Sequence, residues 1–147
     1  MLLIILLGLV VVGITVVIQG YSTFFWLRKL QSYRASLTVT QLQKRAVLIL
    51  ISTASFLIFI HLVQSGVWAS LYLLLPGIDE FETFEKAMYF SLVTFTTLGY
   101  GEITIGSDSR LLAGLEAING IILIGWSTAF MFAIFLKVID HFREYSE

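Results

Sequence analysis

The chain contains no cysteine, which excludes a disulfide framework, a thiolate metal site and a cysteine nucleophile. It has a single proline, Pro76, so collagenous and proline-rich architectures fail as well. Charge is scarce. Asp, Glu, Lys and Arg make up 13% of the 147 residues against a usual ~25%, while hydrophobic residues reach 58%. So few charges cannot cover a water-soluble surface. The net charge of −1 leaves no basic face for a nucleic-acid partner. Neither His-Glu-x-x-His nor Gly-x-Ser-x-Gly occurs, and no nucleophile is paired with His61, His141 or the scattered carboxylates. These absences leave an enzyme without machinery and point to an integral membrane protein.

What is present is long and apolar. No charged residue occurs from Met1 to Leu27 or from Ala46 to Ile78, and Glu116 alone interrupts Leu111 to Leu136. Each run exceeds the ~20 residues a helix needs to cross ~30 Å of hydrocarbon. A fourth apolar stretch, from about Phe84 to Phe95, is too short to span at ~1.5 Å per residue. The first run lacks the basic n-region and the cleavage site of a signal peptide, so it is expected to stay as a helix. The fold class is therefore all-α: three transmembrane helices and one half-helix. Arg28, Lys29, Arg34, Lys44 and Arg45 crowd the segment after the first span, whereas Asp79, Glu80, Glu82 and Glu85 follow the second. The positive-inside rule then places the N-terminus outside and the C-terminus in the cytoplasm of a multi-pass cell-membrane protein. The same basic loop meets lipid headgroups on that side. Trp26 with Tyr21 and Trp68 with Tyr72 suit interfacial belts, with plain helix packing as the alternative for each.

The chemistry concentrates between Thr83 and Glu102. Thr83 reads as an N-cap with Glu85 in the first turn, where the helix dipole favours negative charge. The half-helix stops at Thr96-Thr97-Leu98-Gly99-Tyr100-Gly101. Irregular backbone at membrane depth is tolerated only when buried in protein or lining a water-filled cavity. Gly99 and Gly101 allow positive φ, which lets alternating residues aim successive carbonyls toward one axis. Thr97 offers a hydroxyl at the inner end.

Thr96-Thr97-Leu98-Gly99-Tyr100-Gly101-Glu102 resembles the potassium-channel filter signature, usually Thr-Val-Gly-Tyr-Gly followed by Asp, and the flanking spans resemble that family's outer and inner helices. The resemblance covers residues 46–138. It implies a pore domain with outer helix 46–76, pore helix 84–96, filter 97–101 and inner helix 110–138. Outside it lie the first helix at 1–27, the basic cytoplasmic linker at 28–45 and a short cytoplasmic tail at 139–147. It further implies passive K⁺ conduction, with carbonyls of Thr97, Leu98, Gly99 and Tyr100 replacing the ion's water shell and no cofactor beyond the permeant ion. One loop per chain then requires a homotetramer. The first span has no arginine repeat, so no voltage sensor is visible.

The match has departures. Leu98 stands where valine is commonest, Glu102 replaces Asp, and Tyr89-Phe90 replaces a frequent Trp pair, so Phe90 has no hydrogen to donate to Glu102. Val93 holds a position that is a carboxylate in some members. On the inner helix, Gly120 falls within one residue of the family's hinge glycine; close helix packing is the competing reading. Thr128 is a candidate cavity residue. Met131, Phe132 and Phe135 are candidates for an apolar constriction, or simply for packing. Intramembrane polar residues form two i, i+3 pairs: His61 with Gln64, and Glu116 with Asn119. Their faces are expected to meet behind the filter, with His61 bonded near Gln64 or to Asn119 and acting as a proton sensor; interhelical hydrogen bonding alone is the plainer alternative. Two other functions stay open, a weakly selective monovalent cation channel and a non-conducting membrane subunit.

Overall fold

The structure, a computed structural model, describes residues 2–31, 39–106 and 109–144. The described residues form four helices and no strand: α1 Leu2–Gln31, α2 Val39–Leu74, α3 Phe84–Phe95 and α4 Arg110–Glu144. Three of them are long and apolar enough to cross a membrane, over Leu2–Leu30, Arg45–Leu74 and Arg110–Asp140. At 12 residues α3 rises only ~18 Å, so it enters the layer without crossing it.

The helices overrun their apolar runs. α1 continues through Arg28 and Lys29, and α2 begins at Val39, so much of the basic segment 28–45 extends the two spans. Arg34 lies outside the described residues. α2 stops at Leu74, two residues ahead of Pro76, because a proline disfavours helical backbone in the residue before it. Gly77 then turns the chain with φ of 91°. α4 continues six residues past the expected end at 138.

α3 wedges between α2 and α4, and α1 packs along α4 and α2 of its own chain. The main core sits where α3 is held: Trp68, Tyr72, Phe81, Ala87, Phe90, Phe95, Leu112 and Leu123. Tyr72 meets the Phe90 ring edge-on at 5.2 Å, and Phe81 packs on Phe90 at 5.1 Å. A smaller core joins Trp26, Leu57, Phe130 and Ile134 at the other end, with Trp26 stacked on Phe56 at 4.3 Å. Trp26, Trp68 and Tyr72 are therefore packing residues, not belt residues; Tyr21 alone of the four is exposed. Apolar side chains such as Leu9, Ile14, Phe59 and Ile122 cover the outside, as a lipid solvent requires.

Direction follows from the register of α1. Gly8 touches Leu112 and Leu115, Thr15 reaches Asn119 and Gln19 reaches Ser127, so α1 and α4 run parallel. Gln19 pairs with Gln64 and Trp26 with Thr53, so α2 runs antiparallel to both. The N-terminus and the end of the loop that leads into α4 thus share one side.

Candidate functional site

Thr83, extended at φ −137° and ψ 154°, caps α3 by accepting the Lys86 N–H. Glu85 sits in the first turn. Lys86 pairs with Glu82 at 2.8 Å, and that ammonium holds the Glu82 carboxyl below its usual range. At the far end Thr96 is the C-cap, its hydroxyl donating to Leu92 O at 2.7 Å. Thr97 N–H then donates to Thr94 O and Leu98 N–H to Val93 O, each at 2.9 Å. This is the Schellman closure of a helix, in which the residue after the cap takes the left-handed conformation and is usually glycine. Here it is Thr97, at φ +60°. A β-branched residue is rare there.

Gly99 and Gly101 follow at φ +56° and +78°. Positive φ therefore falls on every second residue, 97, 99 and 101, with Leu98 and Tyr100 between them on the ordinary side. Leu98, Gly99, Tyr100 and Gly101 are exposed in the single chain, and a Cβ added at Gly99 or Gly101 would meet nothing of this chain within 4 Å. Behind the loop lies a cavity of about 280 Å³ between α3 and α4, lined by Tyr89, Val93, Tyr100, Glu102 and Ala113 among others. Tyr89 donates to Glu102 at 3.1 Å. This bond takes the place of the one Phe90 cannot make, since Phe90 is buried in the aromatic cluster. Past the loop Gly106 N–H donates to Glu80 at 2.8 Å, tying the segment that leads into α4 to the α2–α3 connection.

Gly120 lies under the last residue of α3. A Cβ there would overlap the Phe95 carbonyl oxygen and lie 2.7 Å from its carbon, so Gly120 is glycine for close approach. Thr128, Phe132 and Phe135 recur at helical spacing on an exposed face of α4. Thr128 spends its hydroxyl on Ile124 O at 2.9 Å. Met131 packs instead in the smaller core.

The intramembrane polar residues divide differently from their sequence spacing. His61 Nδ1 lies 2.9 Å from Gln64 Oε1. Gln64 commits its amide nitrogen to Gln19 Oε1 at 2.9 Å and to Thr15 O at 3.3 Å. Its oxygen is left to accept, so His61 Nδ1 carries the hydrogen. Gln19 passes on to Ser127 Oγ at 2.9 Å. Asn119 does not meet His61; its amide donates to Thr15 Oγ1 at 2.8 Å. Thr15, Gln19 and Ser127 are thus partners that the i, i+3 reading missed. The spacing of Thr15, Gln19 and Thr23 at i, i+4, i+8 marks one polar stripe on an apolar helix, and it could have revealed them. Glu116 belongs to another group: Tyr72 OH lies 2.5 Å from one of its carboxyl oxygens and Ser91 Oγ 2.5 Å from the other. Among the described residues no cluster of His, Asp or Glu is arranged to hold a metal ion through side chains.

A half-helix seated between two spans, ending in an exposed loop of alternating hand, is the pore architecture of an ion channel. The family model described as ion channel matches residues 46–137, and the chain belongs to that family of two-span channels. The match takes in the membrane-spanning part of α2, all of α3, the loop and most of α4, and leaves α1 outside. No curated protein and no solved structure gives a significant match to the chain.

Proposed function

We propose that the protein is a K⁺-selective channel subunit whose filter is Thr97–Gly101 and whose pore is completed by four identical copies. The observation that supports this most is the alternation of positive φ at Thr97, Gly99 and Gly101. Alternating hand turns successive carbonyls toward one side of the strand, which a desolvated cation requires. One loop offers one wall of such a site, and the exposed Leu98 and Tyr100 side chains are left for neighbouring copies to cover. Carbonyls of Thr97, Leu98, Gly99 and Tyr100 serve as ligands, with K⁺ as cargo and no further cofactor. Thr96 and the Tyr89–Glu102 bond brace the loop, while Val93 contributes its carbonyl to the Leu98 N–H. Thr128, Phe132 and Phe135 face the conduction path, and apolar rings there gate by dewetting. The basic ends of α1 and α2 face the cytoplasm and the N-terminus faces outward in a cell membrane.

The test is the reversal potential of the full-length protein in liposomes across a K⁺/Na⁺ gradient. A value near the K⁺ equilibrium potential supports the reading. A value near zero with robust current makes the protein a weakly selective cation channel. Absence of flux makes it a non-conducting membrane subunit.

A further inference from the structure

Glu116 is an acid in the middle of an apolar helix, fully buried, with no basic partner among the described residues. Its surroundings can be counted in hydrogens. Tyr72 OH lies 2.5 Å from Oε2. Ser91 Oγ lies 2.5 Å from Oε1 and 2.8 Å from Ser65 O. Three oxygen–oxygen contacts each require one hydrogen, yet Tyr72 and Ser91 bring only two and a backbone carbonyl brings none. If Ser91 donates to Ser65 O, the hydrogen between Ser91 and Glu116 must come from Glu116. An ionised carboxylate would also stand uncompensated in a site closed to water, which membrane interiors penalise heavily. A carboxylic acid satisfies all three contacts at once: Oε1–H donates to Ser91, Ser91 donates to Ser65 O, and Tyr72 donates to Oε2. The circuit joins α2 through Ser65 and Tyr72, α3 through Ser91, and α4 through Glu116. It closes one turn above Gly120, where α4 bears on the last carbonyl of α3.

We propose that Glu116 works as an uncharged acid, a positioning residue whose closed hydrogen-bond circuit clasps the outer, pore and inner helices together and seats the Thr97–Gly101 loop. The selectivity arm of the proposal rests on the K⁺ reading above; the clasp itself does not. Glutamine copies the acid form, donating through Nε2 to Ser91 and accepting from Tyr72 through its oxygen. It cannot copy a carboxylate that accepts from both.

Infrared spectra of the reconstituted full-length protein should show a carboxylic-acid carbonyl band that vanishes in Glu116→Gln. The K⁺/Na⁺ permeability ratio of that variant should stay within about threefold of wild type, the measure of one interhelical hydrogen bond. In Glu116→Ala, which orphans Tyr72 and Ser91, it should fall by about tenfold or more. If Glu116→Ala does not assemble while Glu116→Gln does, the clasp is supported in the same sense. Absence of the band, or a Glu116→Gln protein that loses selectivity or assembly as Glu116→Ala does, overturns the proposal. An unselective wild type would sink the K⁺ reading alone, and the band with the comparative thermal stability of the two variants would still decide the clasp.

Discussion

Gly120→Ala should damage the protein out of proportion to one methyl group. The added carbon would overlap the Phe95 carbonyl oxygen and sit 2.7 Å from its carbonyl carbon and 3.1 Å from its Cα. These are backbone atoms, so no side-chain rotation relieves the overlap, and α3 or α4 must move as a body. Overpacking of this kind costs typically 1–3 kcal/mol, and a backbone obstacle belongs at the upper end. Against that stands the helix-propensity gain of alanine over glycine, roughly 0.5–1 kcal/mol. The net loss is about 2 kcal/mol per subunit, a factor of ~30 in the folded-to-unfolded ratio. Gly125→Ala is the internal control. Gly125 lies five residues along the same helix, and a Cβ there meets nothing of the chain within 4 Å, so it should gain the propensity term and melt no lower than wild type. Thermal unfolding of the purified protein separates the two. Because Phe95 precedes Thr96 and the loop, flux in Gly120→Ala should also fall. Equal melting of Gly120→Ala and Gly125→Ala would refute the contact between α4 and the end of α3.

Other outcomes are equally definite. Gly99→Ala meets no atom of its own chain, so its penalty is the ~1–2 kcal/mol of a left-handed non-glycine residue; membrane insertion should be normal and K⁺ over Na⁺ preference lost, and an unchanged preference refutes the filter assignment. Gln19→Leu deletes the bridge from Gln64 to Ser127; at ~0.6 kcal/mol per interhelical bond it should lower stability by about 1 kcal/mol, and a thermal midpoint at or above that of wild type would show that the bridge contributes nothing. Tags placed between Arg28 and Arg45 should be inaccessible from outside intact cells, and labelling there would invert the topology.

Much of this architecture was legible because lipid makes hydropathy decisive. Uncharged runs of more than 20 residues have to span, and Phe84–Phe95 is too short to do so. Thr83 with Glu85 announces the start of α3, and Gly99 with Gly101 announces backbone of positive φ. Thr97 was hidden because its φ is imposed by the closure of α3, not by its own preference. Hydropathy also finds spans without naming their neighbours. The partners of Glu116 lie 25 and 44 residues away, whereas helical spacing offered only Asn119. Tyr89 was not legible as the partner of Glu102, because the resemblance pairs Glu102 with the next position, where Phe90 is buried with Phe81 and Tyr72.

The helix outside the family match is nonetheless part of the pore unit, and its polar residues are the reason. In lipid, apolar faces gain little by meeting one another, so association rests on close packing and on hydrogen bonds between helices. α1 supplies both along its length. Gly8 lets Leu112 and Leu115 approach to where a methyl would collide. Two turns and more along the helix, Thr15 accepts from Asn119, Gln19 links Gln64 to Ser127, and Trp26 donates to Thr53 at 2.8 Å. Each bond is worth little alone, but their spacing fixes a single register that a purely apolar helix would lack. Gln64 and Asn119 are polar on helices that the family match does include, and their amides find partners on a helix that it does not. The polar positions of α2 and α4 are therefore matched to α1. Rotating α1 by one residue, about 100°, would leave Gln64 and Asn119 buried without acceptors, at the cost of an unmade hydrogen bond for each. The same register brings Gln19 against Ser127 of α4, the residue next in sequence to Thr128.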